Sequence, residues 1–266
     1  ETLGAVVVPV GTEVAGDAAR LAREAVERGS KRIVIAGGDG TINEVVNGMA
    51  GSDIELAIIP MGTVNVLAKA LSVPMNTGDA CRLAVRGESM ALDLGRADDH
   101  YFTLMAGIGF DALTIKNLDP VLKKALGGAA FPISGIKTMI TEELPLISIR
   151  CSERETEGYF VVAANSRYYG GRFGPTPLAH MQAGLLDCCV LKEKSWPEML
   201  RFWISSLRKE QLDEPLAEYF RTDRAEISCP SGEPVLVQTD GEIIGELPVQ
   251  ISLVPGGLRV CAGIGA

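Results

Sequence analysis

The chain has little histidine, few aromatics, no surplus of positive charge and no apolar run long enough to cross a bilayer. Its two histidines stand at 100 and 180, and its six cysteines, at 81, 151, 188, 189, 229 and 261, show no C-x-x-C spacing. That leaves a zinc site without a ligand pattern, and thiols so placed fit a reducing compartment better than a disulfide framework. Lys and Arg number 25 against 34 Asp and Glu, a net charge of −9. Such a balance argues against nucleic acid as the main partner. Phosphate ligands stay open to an acidic protein, because backbone N–H groups and a metal ion can hold them. The longest uncharged stretch of interest, Ala125–Ile136, is too short for a span and contains Gly127, Gly128 and Pro132. No segment reads as a signal peptide. The chain begins at Glu1 without Met, beside the apolar run Ala5–Val8, and reads as lacking its natural N-terminus.

What is present is ordinary globular composition, 47% hydrophobic and 22% charged over 266 residues, enough for one or two domains. The first third alternates strand and helix patterns. Ala5–Val10 is β-branched, Asp17–Arg28 has a helical apolar face, and Arg32–Ala36 is a short apolar strand. Helices are expected over Ile42–Met49, Val64–Leu71 and Asp79–Val85, with an apolar strand at Leu56–Pro60. This alternation implies a parallel sheet covered on both faces. After about residue 92 the texture changes. Short strands are expected near 101–107, 146–151, 159–164, 187–192, 225–229, 234–239 and 249–254, with helical insertions near 117–142 and 196–211. That pattern predicts an antiparallel, β-rich second domain.

The strongest chemical signal is Ile33-Val-Ile-Ala-Gly-Gly-Asp-Gly-Thr-Ile-Asn-Glu44. Three glycines follow a buried strand and precede a helix. Glycine lets backbone approach a ligand without a Cβ clash, and the helix start offers unpaired N–H groups and a positive dipole end. Together these make an anion cradle, and the natural anion is a phosphate chain. Asp39 beside phosphates calls for a cation between them, hence Mg²⁺, directly or through water. Asn43 and Glu44 sit in the first helical turn, placed to orient that shell. The plainer alternative is a glycine-rich turn with no ligand. A second signal, Pro60-Met-Gly-Thr-Val-Asn-Val-Leu-Ala68, repeats strand, Gly-Thr turn and helix. Two such turns at the carboxyl ends of parallel strands would face one crevice, where Thr63 and Asn65 can bond a nucleotide or its metal water. Further on, Asp240-Gly241 after Val235–Gln238 is a strong hairpin signal.

These paired motifs resemble the diacylglycerol kinase catalytic-domain family, which includes bacterial lipid kinases and sphingosine kinases. The likeness continues through Leu92-Asp93-Leu94-Gly95, Ala164-Asn165, Tyr169-Gly170-Gly171, Pro177-Leu178-Ala179, Gly184-Leu185-Leu186-Asp187 and Thr239-Asp240-Gly241-Glu242. The resemblance implies a Rossmann-like, three-layer α/β domain over 1–92 and a β-rich antiparallel sandwich over 93–254, with 255–266 returning to the first domain. It implies ATP- and Mg²⁺-dependent phosphorylation of a lipid hydroxyl, typically of diacylglycerol or a related lipid. The nucleotide site maps onto Thr12, Gly37, Gly38, Asp39, Gly40, Thr41, Ile42, Asn43, Glu44, Gly62, Thr63 and Asn65. Asp39 and Asp93 map onto the active-site Mg²⁺, and Asp240 and Glu242 onto the acidic pair that supplies the proton acceptor. A cytoplasmic enzyme is implied, peripheral at the membrane where its lipid lies, with a homodimer left open. Two other readings stand beside it: a NAD kinase, which shares the Gly-Gly-Asp-Gly core, and a kinase-like lipid-binding or regulatory protein without turnover.

The chain departs from the family pattern in places. Val66 stands where Asp often follows the second-motif Asn, and Ala183 where bacterial members carry an Asp that helps hold a structural Mg²⁺. With only His180, Ala183 and Leu185 carbonyls left, that second metal site is expected to be weak. The family's opening strand and Asn-Pro turn fall upstream of Glu1. Gly107-Ile-Gly-Phe-Asp-Ala112 fits a dinucleotide fingerprint superficially, but no acidic residue follows at the required distance, so a close-packing turn is the better reading. Leu122–Met139, flanked by lysines, reads equally as a lipid-cleft segment or as a core helix. Trp196–Leu212 could lie on a bilayer; packing against its own domain is preferred.

Overall fold

The computed structural model describes residues 4–118, 134–135, 137–138, 141–169, 174–208 and 215–263. The chain divides into two compact units, Glu1–Leu92 with Pro255–Ala266, and Asp93–Val254. The first unit is α1 (Asp17–Glu27), β1 (Arg32–Gly37), α2 (Asp39–Met49), β2 (Glu55–Pro60), α3 (Val66–Ala70) and α4 (Thr77–Arg86). β1 and β2 pair in parallel from Arg32↔Glu55 to Gly37↔Pro60. Arg259 and Val260, near the end of β14 (Val249–Cys261), pair in parallel with Glu55 and Leu56. β2 is therefore a central strand, and its Leu56, Ala57 and Ile58 are buried. That is the uniform apolar reading expected where both faces of a parallel sheet are covered. Arg32 ties the layers together. Its guanidinium donates to Glu55 at 2.9 and 2.6 Å, to the Ala84 carbonyl at 2.7 Å and to the Gly87 carbonyl at 3.0 Å.

Ala5–Val10 is not a strand. Val6, Val7, Val8 and Val10 are 97, 61, 81 and 59% exposed, and no strand pairing reaches them among the described residues. β-branched side chains favour extended backbone, but a strand needs a neighbour to complete its hydrogen bonds, and propensity alone does not supply one.

The second unit contains most of β3 (Ser89–Ala97), then β4 (His100–Phe102), β5 (Met105–Gly109), α5 (Phe110–Lys116), β6 (Ile147–Cys151), β7 (Arg154–Gly158), β8 (Phe160–Ala164) and β9 (Leu186–Leu191). These are followed by α6 (Trp196–Arg208), β10 (Ala217–Thr222), β11 (Arg224–Ser228), β12 (Leu236–Thr239), β13 (Glu242–Glu246) and the start of β14. One antiparallel sheet runs β10-β9-β8-β5-β12-β13. A second layer pairs β7 with β6, β6 with β11, and β11 with β14, again antiparallel. Alternate residues of both layers meet in one core. Ile108, Val161, Ala163, Cys188, Val190 and Val237 come from the first, and Ile147, Ile149, Ala225, Ile227, Val249 and Ile251 from the second. The two-residue period is that of a β-sandwich.

The outer face of the six-stranded sheet is covered by helices. Phe160 meets Phe110 and Phe202 edge-to-face, at 6.2 and 5.4 Å between ring centroids. Met199 and Phe202 are buried, so α6 packs on its own unit. Most of Leu122–Met139 lies outside the described residues, as does the Trp203 side chain. Among the described residues no helix is long and apolar enough to cross a membrane.

Candidate active site

In the first unit the two glycine turns touch. A Cβ on Gly62 would lie 2.6 Å from the Gly38 Cα, and one on Gly38 would lie 3.1 Å from the Gly62 Cα. Only glycine at both positions lets the ends of β1 and β2 approach so closely. α2 starts immediately after this contact, and no side chain caps it. The Ile42 N–H is donated to the Gly38 carbonyl at 3.1 Å. The donors pointing out of the helix are thus those of Asp39, Gly40 and Thr41, an anion cradle made of backbone.

Asp39 carries a task that the motif does not reveal. Its Oδ1 accepts from the Val66 N–H at 2.8 Å and the Leu67 N–H at 3.4 Å. The first motif therefore caps the helix of the second, and Oδ2 is left for another partner. Asn65 sits at φ 53° and is buried. Its Oδ1 accepts from the Gly62 N–H at 2.9 Å, and its Nδ2 donates to the Gly62 carbonyl at 2.8 Å. Both ends of that amide are engaged in closing the turn, so Asn65 shapes the site from behind.

Several expected contacts face inward. Ile42 is 1% exposed and belongs to the core. Asn43 is buried, and its carbonyl and Oδ1 both accept from Asn47 Nδ2. Glu44 Oε2 accepts the Ala18 N–H at 3.1 Å, at the start of α1. Glu44 lies with Gly48, one turn on, on the face of α2 that meets α1, while Ile42 and Asn43 point into the interior on other sides of the helix, which proximity in the motif could not indicate. Gly40, Thr63 and Thr12 are exposed, Thr12 in the irregular segment before α1; Gly37 lies half-buried at the end of β1, with the Thr41 side chain folded over it.

In the second unit, Asp240 and Gly241 join β12 to β13, with φ 49° and 93°. Positive φ at both central residues is the mark of a two-residue hairpin turn. The Asp240 carboxylate is fully engaged. Oδ2 accepts from the Thr103 N–H at 2.7 Å and the Thr103 hydroxyl at 2.8 Å, and Oδ1 from the N–H groups of Leu104 and Met105 at 2.9 and 3.0 Å. Burial pushes this carboxyl above the ordinary range, while the same donors pull the other way. Glu242, the first residue of β13, is exposed.

Asp93, on β3, is bound to the loop that follows Pro177-Leu178-Ala179. Its N–H donates to the Met181 carbonyl at 2.8 Å, and its Oδ2 accepts from the Gly184 N–H at 2.9 Å. In that loop the His180 carbonyl accepts from Ala183 N–H at 3.0 Å, and His180 Nδ1 from Gln182 N–H at 3.2 Å. No group of three or more acidic, His or Cys side chains converges as a metal site among the described residues. The His180–Leu185 loop does not fit a structural Mg²⁺, because it offers carbonyls without a carboxylate of its own. Asp187, fully buried on β9, is neutralised by Arg221 at 3.0 Å and holds the Tyr219 hydroxyl at 2.5 Å.

Residues 2–97 match the sequence pattern of the diacylglycerol kinase catalytic domain, and residues 105–262 that of the YegS C-terminal NAD kinase beta sandwich-like domain. A protein of Alcanivorax borkumensis named "Probable lipid kinase YegS-like" is 32% identical, over 92% of this chain and 83% of its own. The protein of Bacillus subtilis named diacylglycerol kinase is 31% identical, over 89% of this chain and 79% of its own. A crystal structure from Bacillus anthracis str. Sterne, also described under the diacylglycerol kinase name, superposes with a TM-score of 0.81 at 27% identity, covering 97% of this chain and 86% of that one. With both halves of the chain matched, it belongs to the diacylglycerol kinase and YegS-like lipid kinase family, phosphotransferases that act on an alcohol group.

Proposed function

We propose that the protein transfers the γ-phosphoryl group of Mg²⁺-bound ATP to the hydroxyl of a diacylglycerol-class lipid. The observation that carries this reading is the Gly38–Gly62 contact at the uncapped start of α2. It presents the Asp39, Gly40 and Thr41 N–H groups to a phosphate chain, and the Gly-Thr turn at 62–63 borders the same space. Mg²⁺ would neutralise the phosphate oxygens, as phosphoryl transfer requires. Asp39 Oδ2 suits that ion directly or through water. Asp93 is the second acid assigned to it, with its Oδ2 shared by the Gly184 N–H. The lipid hydroxyl attacks the γ-phosphorus, ADP leaves, and the hydroxyl proton passes to a carboxylate. Both Asp240 oxygens already accept hydrogen bonds. We therefore assign the proton to Glu242 and the positioning of its turn to Asp240. The test is incubation with [γ-³²P]ATP, Mg²⁺ and a total lipid extract. Label in a phosphorylated diacylglycerol is expected. Label in NADP⁺ when NAD is offered, or in no acceptor at all, overturns the reading.

A further inference from the structure

The Asp240-Gly241-Glu242 turn is gripped from two sides. One grip is the Asp240 carboxylate on β5 and the residues before it. The other comes from a side chain that the family motifs do not include. Gln238 is 0% exposed on β12. Its Oε1 accepts the Gly241 N–H at 2.8 Å, in the middle of the turn. Its Nε2 donates to Asp111 Oδ2 and lies 3.0 Å from Met105 Sδ. An amide bonded at both ends cannot flip, so Asp111 fixes which end faces Gly241.

Room for this pair is built into the sheet. Gly107 is the register partner of Gln238, and a Cβ on it would overlap Asp111 Oδ2 and Gln238 Nε2. Asp111 itself stands in the first turn of α5, 7% exposed. Burial pushes its carboxyl up to about 6, with Gln238 and Tyr169 hydrogen bonds opposing. Keeping a buried acid costs stability unless something is gained from it. The Gly107–Ala112 run, which resembles a dinucleotide fingerprint, is thus a seat for Asp111 and Gln238.

We infer that Gln238, oriented by Asp111, is a positioning residue that holds the Asp240–Glu242 turn in the geometry phosphoryl transfer requires. The inference rests on the lipid-kinase reading, since it needs Glu242 to act on the acceptor hydroxyl. Gln238 and Asp111 contact neither substrate; they act through the Gly241 N–H.

The test is an exchange of the two polar groups, with turnover and Gly241 amide hydrogen exchange measured on each purified full-length variant. Gln238→Glu sets two carboxylates against each other, and kcat is expected to fall about 100-fold, the cost of a misplaced reacting group, with KM for ATP and lipid unchanged. Asp111→Asn keeps an acceptor for Gln238 Nε2 and stays within a few-fold of wild type. The double variant Asp111→Asn/Gln238→Glu restores both bonds: donor and acceptor are exchanged between positions 111 and 238, the Gly241 N–H still donates to an oxygen at position 238, and kcat returns to within a few-fold. Gln238→Met, which adds no charge, loses kcat and exposes the Gly241 amide to exchange. Full turnover in Gln238→Met, a double variant no better than Gln238→Glu, or a loss residing in the KM for lipid overturns the inference. A wild-type protein that phosphorylates no lipid sinks the functional reading instead. Gly241 exchange that is unaltered in Gln238→Met refutes the turn-holding role whatever the activity.

Discussion

Replacing Asp39 by alanine removes two things: the acceptor for the Val66 and Leu67 N–H groups, and the carboxylate oxygen proposed for Mg²⁺. The two losses separate experimentally. Asp39→Asn still caps α3, so its thermal midpoint should match wild type, whereas Asp39→Ala should lose about 1 kcal/mol as a lost helix cap does. Both should lose at least about 100-fold in turnover, on the scale of a removed electrostatic stabiliser. Glu242 and Asp240 separate in the same way. Glu242→Gln should abolish transfer and move the midpoint less than Asp240→Asn does, because its side chain is exposed whereas the Asp240 carboxylate accepts four hydrogen bonds. Asp240→Asn keeps ATP binding and loses transfer, but it also turns an NH₂ toward backbone donors, and a buried donor left unpaired costs about 1–3 kcal/mol. Calorimetry beside a transfer assay checks both pairs. At this scale the sequence disclosed the residue types and concealed their directions. Gly38, Gly62 and Asp39 were legible because a strand, a glycine turn and a helix start leave few alternatives. Ile42, Asn43, Glu44 and Asn65 stand in the same motifs, yet helix periodicity and a left-handed turn aim them into the protein. Gln238 gave no motif signal at all. Only its pairing opposite Gly107 reveals it.

Contacts between elements set the next level. Gly62→Ala would push β2's turn away from β1's, with a Cβ at 2.6 Å from the Gly38 Cα. ATP affinity, read by calorimetric titration, should fall at least about tenfold, a loss of ~1.4 kcal/mol, while the sandwich keeps its strand content by circular dichroism. α5 provides a pH signature. Asp111 has its folded-state pKa raised to about 6 by burial, above the unfolded value of about 3.9. The folded state therefore holds more protons in that window, and the contribution of Asp111 is full below about pH 4 and falls as the pH rises through 6. Urea midpoints of wild type minus Asp111→Asn should decline from pH 4 to pH 6.5 and then level off. Of the elements that sequence patterns caught, α1 buries one continuous face and β2 an unbroken apolar run; β1 is legible from its apolar composition, yet Val34 and Ala36 are exposed and Ile35 alone is buried, so the cover expected on both faces of the sheet is incomplete at that strand. β7 and β13 escaped notice because Arg154–Gly158 and Glu242–Glu246 are largely polar or exposed, and only pairing with β6 and β12 makes them strands. Ala5–Val10 misled in the opposite direction, having the composition of a strand without a neighbour.

The whole molecule is threaded so that the first unit takes its material from both ends of the chain. Leu258, Val260 and Cys261 are buried there, Arg259 donates to Ser89 Oγ at 3.0 Å, and the Gly263 N–H donates to the Leu71 carbonyl at 2.9 Å. A stop after Val254 should therefore leave β2 without its second parallel neighbour. Such a protein is expected to lose nucleotide binding and to expose apolar surface to a dye such as ANS, while the sandwich loses only the far end of β14. Retained ATP binding in that truncation would show the return segment to be dispensable. The same threading has a consequence during synthesis. Asp93–Val254 is contiguous and can condense as soon as it leaves the ribosome, whereas the nascent N-terminal part must wait, incomplete, until Arg259 and Val260 emerge. The order of birth is thus reversed in the order of maturation, and a chaperone that shields half-built sheets would find its substrate in the segment translated ahead of the sandwich.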